Sequence, residues 1–317
     1  MAMFATLPTT RTRRDDVTII LSTFNGEKFV AQQLDSLYAQ THKHCKILVR
    51  DDGSSDATPE ILASAERNGK IHLVAGNENL GANGSFFELL KCAAATDAAY
   101  VAFCDQDDVW RHDKISRAVA KLSAMHEDTP AMYSSRAEIV DAELTHLGET
   151  SMPRRIGFGN ALAENVCVGC TIVLNRRAVK LLCTNLPTAI PAHDWWCYLL
   201  VSCFGEIVFD DESPIKYRQH GRNVFGVARG GFDRFRRNLH RFIGSGQGRH
   251  WQSEQAIIFL ALFNERIPTP ARRLLVEFVA ARKSFSRRIR LATSREIWRQ
   301  QRIDSFLLRM LILMNRY

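Results

Sequence analysis

The chain of 317 residues lacks any uninterrupted apolar run near the ~18 residues that a membrane-crossing helix needs. The best candidate, Trp195–Phe204, is far too short, so no spanning helix is expected. No apolar segment follows Arg11, Arg13 and Arg14, so the start does not read as a secretory signal. Internal repeats and low-complexity tracts are missing, as are a Walker A sequence and a GxSxG elbow. Cys167-Val168-Gly169-Cys170 has the spacing of half a zinc site, but no second CxxC or histidine pair accompanies it; two core thiols are expected. Gly244-Ser245-Gly246-Gln247-Gly248 follows arginines and not a strand, so it reads as a linker and not a dinucleotide loop. The 8 cysteines are irregularly spaced and lie mostly in apolar stretches, the usage of reduced thiols in a cytosolic protein.

What is present suits a folded globular protein. Hydrophobic residues make up 46% and charged residues 24%, which excludes disorder and leaves a substantial core. The net charge of +8 is unevenly spread. From Gly226 to Tyr317 there are 19 Arg/Lys against 6 Asp/Glu, so the preceding residues are net acidic. An acidic front suits a cation-dependent site, and a basic back suits an anionic surface.

Val17–Ser22 is a β-branched apolar run and predicts a buried strand, followed by a turn at Thr23–Gly26 and a helix. Lys46–Arg50, Ile71–Ala75 and Tyr100–Cys104 predict three more strands, alternating with helices after Thr58-Pro59 and at Phe86–Ala95. Further strands are expected at Ala131–Ser134, Cys170–Leu174 and Glu206–Phe209, and a helix at Trp195–Cys203. This alternation predicts βαβ units and a mainly parallel sheet, whose carboxyl edge is where ligands bind.

Two acidic clusters fall on that edge. Asp105, Asp107 and Asp108 crowd the end of a buried strand, and a divalent cation such as Mg2+ or Mn2+ would hold them together while leaving positions for diphosphate oxygens. A solvated turn with a capping aspartate is the plainer alternative. Asp52, in Asp51-Asp52-Gly53-Ser54-Ser55-Asp56, could accept hydrogen bonds from a base or a ribose, or merely form an Asx turn.

These residues, with Ser22-Thr23-Phe24-Asn25-Gly26, Asn79-Leu80-Gly81 and Cys104–Trp110, resemble glycosyltransferase family 2 on a GT-A fold. The CDQDDVW phrase, His193-Asp194-Trp195-Trp196 and the segment Tyr217–Asn223 resemble its rhamnosyltransferase-like branch. The resemblance spans about residues 17–225, between a flexible tail at 1–16 and a basic helical region at 226–317. It implies inverting transfer of a sugar, L-rhamnose or another, from a nucleoside diphosphate donor (dTDP-L-rhamnose or a UDP-sugar) to a glycan or lipid-linked glycan. Thr23, Asn25, Asp52 and Asp105 would then line the nucleotide site; Asp105, Asp107, Asp108 and His220 would serve the metal. Asp194 would be the catalytic base opposite the leaving group. Trp195 and Trp196 would stack on sugar, and Arg218 and Arg222 would meet the diphosphate. Asn83 departs from the usual pattern of its loop and is in doubt as a ligand contact. A sugar nucleotidyltransferase and a non-catalytic nucleotide-sugar-binding module are the rivals; the first would carry a glycine-rich basic loop that Ser22–Lys28 lacks.

The C-terminal region reads as amphipathic helices. On one wheel over Ala271–Ala292, Leu274, Leu275, Phe278, Phe285 and Ile289 share a face, opposite a row of arginines. Few stacking aromatics accompany the arginines, so nucleic acid is not the expected partner. An anionic membrane surface on the inner face of the cell is the expected one, with packing in a homodimer as the alternative.

Overall fold

The computed structural model describes residues 15–76, 78–220 and 250–317. Arg222, the Gly244–Gly248 stretch and nearly all of the N-terminal tail lie outside them.

The β-branched runs form the expected central strands. β1 (Val17–Thr23), β2 (Cys45–Asp51), β3 (His72–Leu73), β4 (Tyr100–Cys104), β6 (Ala131–Ser135), β9 (Val173–Asn175) and β10 (Glu206–Asp210) make one sheet. Its order is β10-β6-β9-β4-β1-β2-β3, parallel except for β9. Where a strand was expected from Cys170, the chain first makes a 3-10 turn, Gly169–Thr171, and only then enters β9.

Helices cover both faces: α1 (Val30–Tyr38), α2 (Thr58–Arg67), α3 (Gly81–Ala94), α4 (Lys114–Ser123), the short α5 (Phe158–Ala161), α6 (Arg176–Thr184) and α7 (His193–Phe204). At α2 the capping oxygen is supplied by Asp56, which accepts from the Thr58 N–H at 3.0 Å, and not by Thr58 itself. α7 ends at Gly205, where an added Cβ would sit 1.8 Å from the Pro130 carbonyl oxygen.

A second, smaller sheet has the order β5-β11-β7-β8, formed by β5 (Val109–Trp110), β7 (Glu138–Val140), β8 (His146–Glu149) and β11 (Ile215–Arg218). Its effect is positional. β11 pairs with β5, so Arg218 and His220 are delivered to the acidic loop between β4 and β5.

The C-terminal helices are α8 (Trp251–Phe263), α9 (Thr269–Ala281), α10 (Phe285–Thr293) and α11 (Arg302–Leu313). The expected single wheel is broken at Arg282–Ser284. Leu274, Leu275 and Phe278 are buried on α9, whereas Phe285 and Ile289 stand exposed on α10. α8 shares one core with the sheet, its Phe259 and Phe263 lying 5.5 and 6.4 Å from the Trp196 ring. No helix among the described residues is long and apolar enough to cross a membrane.

The segment before α11 is locked to α5. Asn160 donates to the Trp298 carbonyl (3.0 Å), Arg155 lies 3.8 Å over the Trp298 ring, and Glu164 accepts from the Gln300 N–H (2.5 Å). A Cβ at Gly159 would lie 1.8 Å from the Glu296 carbonyl oxygen. Gly159→Ala is therefore expected to lose about 2 kcal/mol of stability in urea unfolding, and an unchanged midpoint would contradict this docking.

Candidate active site

β4 is buried along its whole length and releases the chain into Asp105-Gln106-Asp107-Asp108. Gln106 clamps this loop to the end of β1: the Phe24 N–H donates to its Oε1 (2.8 Å), and its Nε2 donates to the Phe24 carbonyl (3.0 Å). A Cβ at Gly26 would lie 2.2 Å from Gln106 Oε1, so a larger residue there would have to displace this clamp. Asp107 Oδ2 pairs with His220 Nε2 at 2.7 Å, and the His220 ring stacks on Phe29. Asp108 is fully buried; its Oδ1 accepts from the Arg218 N–H at 3.1 Å.

Arg218 does not face a diphosphate, contrary to expectation. It is 2% exposed, with Nε donating to the Asp107 carbonyl (2.7 Å), one terminal nitrogen to the Ala142 carbonyl and the other to Gln32 Oε1 (2.6 Å). Its guanidinium also lies over the Phe29 ring at 4.5 Å. The charge braces the acidic loop from behind.

Crowding and burial raise the carboxyl groups together. Asp105 is pushed up to about 7 by desolvation first, then by Asp107 and Asp194. Asp108 is pushed well up by desolvation, then by Asp107 and Asp105. Beneath them, Lys114 is fully buried with its ammonium 3.4 Å from the Trp110 ring centroid and no hydrogen-bond partner among the described residues. Burial lowers it to about 8.

The turn after β1 is held by its own polar groups. Thr23 is buried and its hydroxyl donates to Asp51 Oδ1 at 2.8 Å. Asn25 adopts φ +48°, and its Oδ1 accepts from the Ser55 N–H at 2.8 Å. Asp52, 3% exposed, pairs with Arg50 and accepts from the Leu80 N–H at 2.9 Å, which ties it to the start of α3.

Asp194 enters from the other side, in the first turn of α7, where a helix N-terminus favours an anion. It is half-buried, accepts from the Trp195 N–H at 2.6 Å, and is also held by the Gly169 N–H and Asn165. Desolvation pushes it up to about 6 against those hydrogen bonds. Asp194 and the acidic loop approach the same turn: the Gly169 N–H is bonded to Asp194, and the neighbouring Cys170 Sγ lies within 4.8 Å of ligand atoms of Asp105 and Asp108. His193 lies between Phe86 and Phe103, at 4.2 and 5.5 Å, with Nε2 lacking a hydrogen-bond partner among the described residues. Burial lowers it to about 3.

The two tryptophans diverge. Trp195 is half-buried, its indole donating to the Ala161 carbonyl at 2.7 Å. Trp196 is wholly buried against α8, so the expected sugar stacking is corrected there: its ring belongs to the core.

The donor set fits a divalent cation. Ligand atoms of Asp105, Asp108 and Cys170 lie within 4.8 Å of one another, and Asp108 Oδ2 is buried without a hydrogen-bond partner among the described residues. Asp107 and His220 stand beside this group as a pair of their own. Sequence reasoning missed Cys170, Gln106, Lys114 and Gly169. Gly169 had a signal, since it sits between two cysteines where a Cβ would lie 3.1 Å from His193 Nε2.

Comparison with known proteins bears on the family and the fold. A family model described as "Glycosyl transferase family 2" matches residues 18–181, just over half the chain. An uncharacterized protein of Mycobacterium tuberculosis (strain ATCC 25618 / H37Rv) is 25% identical over 217 residues, 67% of this chain and 61% of its own length. The chain thus spans about three fifths of that relative. The dTDP-rhamnosyl transferase RfbG of Shigella flexneri is 27% identical over 228 residues, 65% of this chain and 74% of that protein. A UDP-Glc:alpha-D-GlcNAc-diphosphoundecaprenol beta-1,3-glucosyltransferase of Escherichia coli, WfaP, is 28% identical, covering 52% and 62%. Among solved structures, residues 1–349 of S. aureus TarS, in complex with UDP-GlcNAc, align with a TM-score of 0.54 at 14% identity, covering 94% of this chain and 90% of that one. The fold is accordingly GT-A, with a C-terminal helical region.

The raised carboxyls set a pH dependence. Free of divalent ions, the folded protein keeps a proton on Asp105 up to about pH 7, whereas the unfolded chain releases it near 3.8. The folded state therefore binds more protons across that window, and stability falls as pH rises from about 4 to about 7. Urea unfolding in chelator should show Asp105→Asn with a shallower fall than the parent; parallel profiles would contradict the burial assigned to this carboxyl.

Proposed function

The chain belongs to glycosyl transferase family 2, and on that footing we propose that it is a divalent-metal-dependent inverting enzyme moving a sugar from a nucleoside diphosphate to a glycan or lipid-linked glycan. The observation that carries the reading is that Asp105, from the end of β4, and Asp194, from the start of α7, both approach the Gly169–Cys170 turn. The donor's diphosphate then belongs at the acidic loop and the acceptor hydroxyl at Asp194. Asp194, raised to about 6, is ionised at neutral pH yet more basic than a solvated carboxylate, which suits proton removal from a hydroxyl. Asp105 with Asp107 or Asp108 would hold Mg2+ or Mn2+, which when bound stabilises charge on the departing diphosphate. Thr23, Asn25 and Asp52 form the nucleoside end. Trp195 flanks the acceptor.

L-rhamnose from a dTDP donor is the preferred sugar, supported by the likeness to the Shigella protein, with a UDP-sugar as the alternative. The Escherichia coli relative's name supports a lipid-linked acceptor, hence work in surface polysaccharide synthesis. The catalytic unit is taken as residues 17–225 and the basic helices as 226–317. We assign the latter to the inner face of the cell membrane. Phe285 and Phe306, each 60% exposed, and Ile303, 65% exposed, stand among exposed Arg287, Arg290, Arg302 and Arg309.

Two measurements test this. Asp194→Asn should lower kcat by about 10²–10⁴-fold while thermal stabilisation by Mn2+ and a nucleoside diphosphate persists; full turnover would remove Asp194 from the role. Phe285→Glu with Phe306→Glu should reduce co-sedimentation with vesicles containing phosphatidylglycerol. Unchanged sedimentation together with a shift from dimer to monomer would assign the face to a second copy instead. Deleting the last helix would not serve, because Leu308, Ile312 and Tyr317 are buried in the core.

A further inference from the structure

Asn83 belongs to the loop whose ligand role was in doubt, and the structure gives its side chain another task. A helix begins with N–H groups that have no partner inside it. The residue preceding α7 is Ala192, which has no side-chain acceptor to cap them. Asn83, in the first turn of α3, fills the vacancy from 110 positions away: its Oδ1 accepts from the His193 N–H at 2.8 Å. Its Nδ2 donates to the Ile190 carbonyl at 3.1 Å, so one amide grips the chain on both sides of the entry into α7. The next residue is Asp194.

The other end of the same turn is equally fixed. The Leu80 N–H donates to Asp52, and Arg50 donates to the Glu78 carbonyl at 2.7 Å. Four residues of chain, Leu80 to Asn83, therefore connect the Asp52 side chain to the cap on α7.

We propose that Asn83 is a positioning residue for Asp194: it caps the helix carrying that carboxylate and fixes its place relative to the donor site anchored on Asp52. The proposal rests on the assignment of Asp194 as the base. Asn83 touches neither reactant. Its loss lets the first turn of α7 fray, and the carboxylate spends less time where an acceptor hydroxyl would meet it.

The test compares Asn83→Ala with Asn83→Asp, which keeps an oxygen for the His193 N–H but loses the donor to Ile190. Hydrogen exchange of the His193 amide should accelerate at least about tenfold in the alanine variant and stay within about threefold of the parent in the aspartate variant. In sugar transfer from a UDP- or dTDP-sugar, the alanine variant should lose about 10–100-fold in kcat with donor KM within about twofold, and aspartate should recover most of it. Circular dichroism confirms that both variants are folded. Unchanged His193 exchange in the alanine variant, or equal kcat for alanine and parent, or identical behaviour of alanine and aspartate, would overturn the proposal. The exchange arm needs no turnover, so it decides the capping even where no donor is accepted. An Asp194→Asn protein as active as the parent would instead overturn the base assignment.

Discussion

The structure is organised around like charges held where water is scarce. Asp105, Asp107 and Asp108 follow a fully buried strand without a spacer, and Asp194 is brought toward them by a helix from the other half of the sheet. Such a cluster is repulsive and poorly solvated, and the fold answers it with three basic side chains from two parts of the chain. Arg218 arrives on β11, His220 follows it, and Lys114 lies at the start of α4. The second sheet makes sense in this light, since pairing β11 with β5 sets Arg218 behind the acidic loop. Protons supply the remaining compensation, which is why Asp105 and Asp108 are raised and not lowered despite these neighbours. A site that is incompletely neutralised by its own protein is one that a divalent ion can complete.

Much of this was legible in the residues. The apolar runs located β1, β2, β4, β6 and β10, and the two acidic clusters lie where β2 and β4 leave the sheet. The second sheet was not legible: strands of two to four residues, such as Val109–Trp110, carry no period to read. Arg218 and Trp196 were misread for a common reason. Residue type gives a side chain's chemistry, not its direction, and adjacent residues on a helix point about 100° apart. Trp195 and Trp196 are separated in just this way, one beside Ala161 and the other inside the core. Asn83 had no local signature at all, because its partners lie more than a hundred residues along the chain.

The C-terminal region shows how charge can mislead about organisation. Its arginine excess suggested a separate body with a separate job, yet charge reports only what faces outward. The inward faces of α8 and α9 contribute Phe259, Phe263, Leu275 and Phe278 to the same core as β4 and α7. The break at Arg282–Ser284 then turns α10 so that Phe285 and Ile289 are exposed, and the apolar residues of this region divide between inner and outer duties.

That shared core bears on the site itself. Asp194 and Trp196 lie two residues apart on α7, one held by the Gly169 N–H and the other packed edge-on against Phe259. The helix is thus held at its first turn by Asn83 from α3 and along its buried side by α8. Gly159 and Asn160 receive the segment from Glu296 to Gln300 on α5, whose Ala161 carbonyl takes the Trp195 indole. The basic helices are therefore part of the packing that holds the Asp194 helix, and on their outward side they leave Phe285, Ile303 and Phe306 exposed.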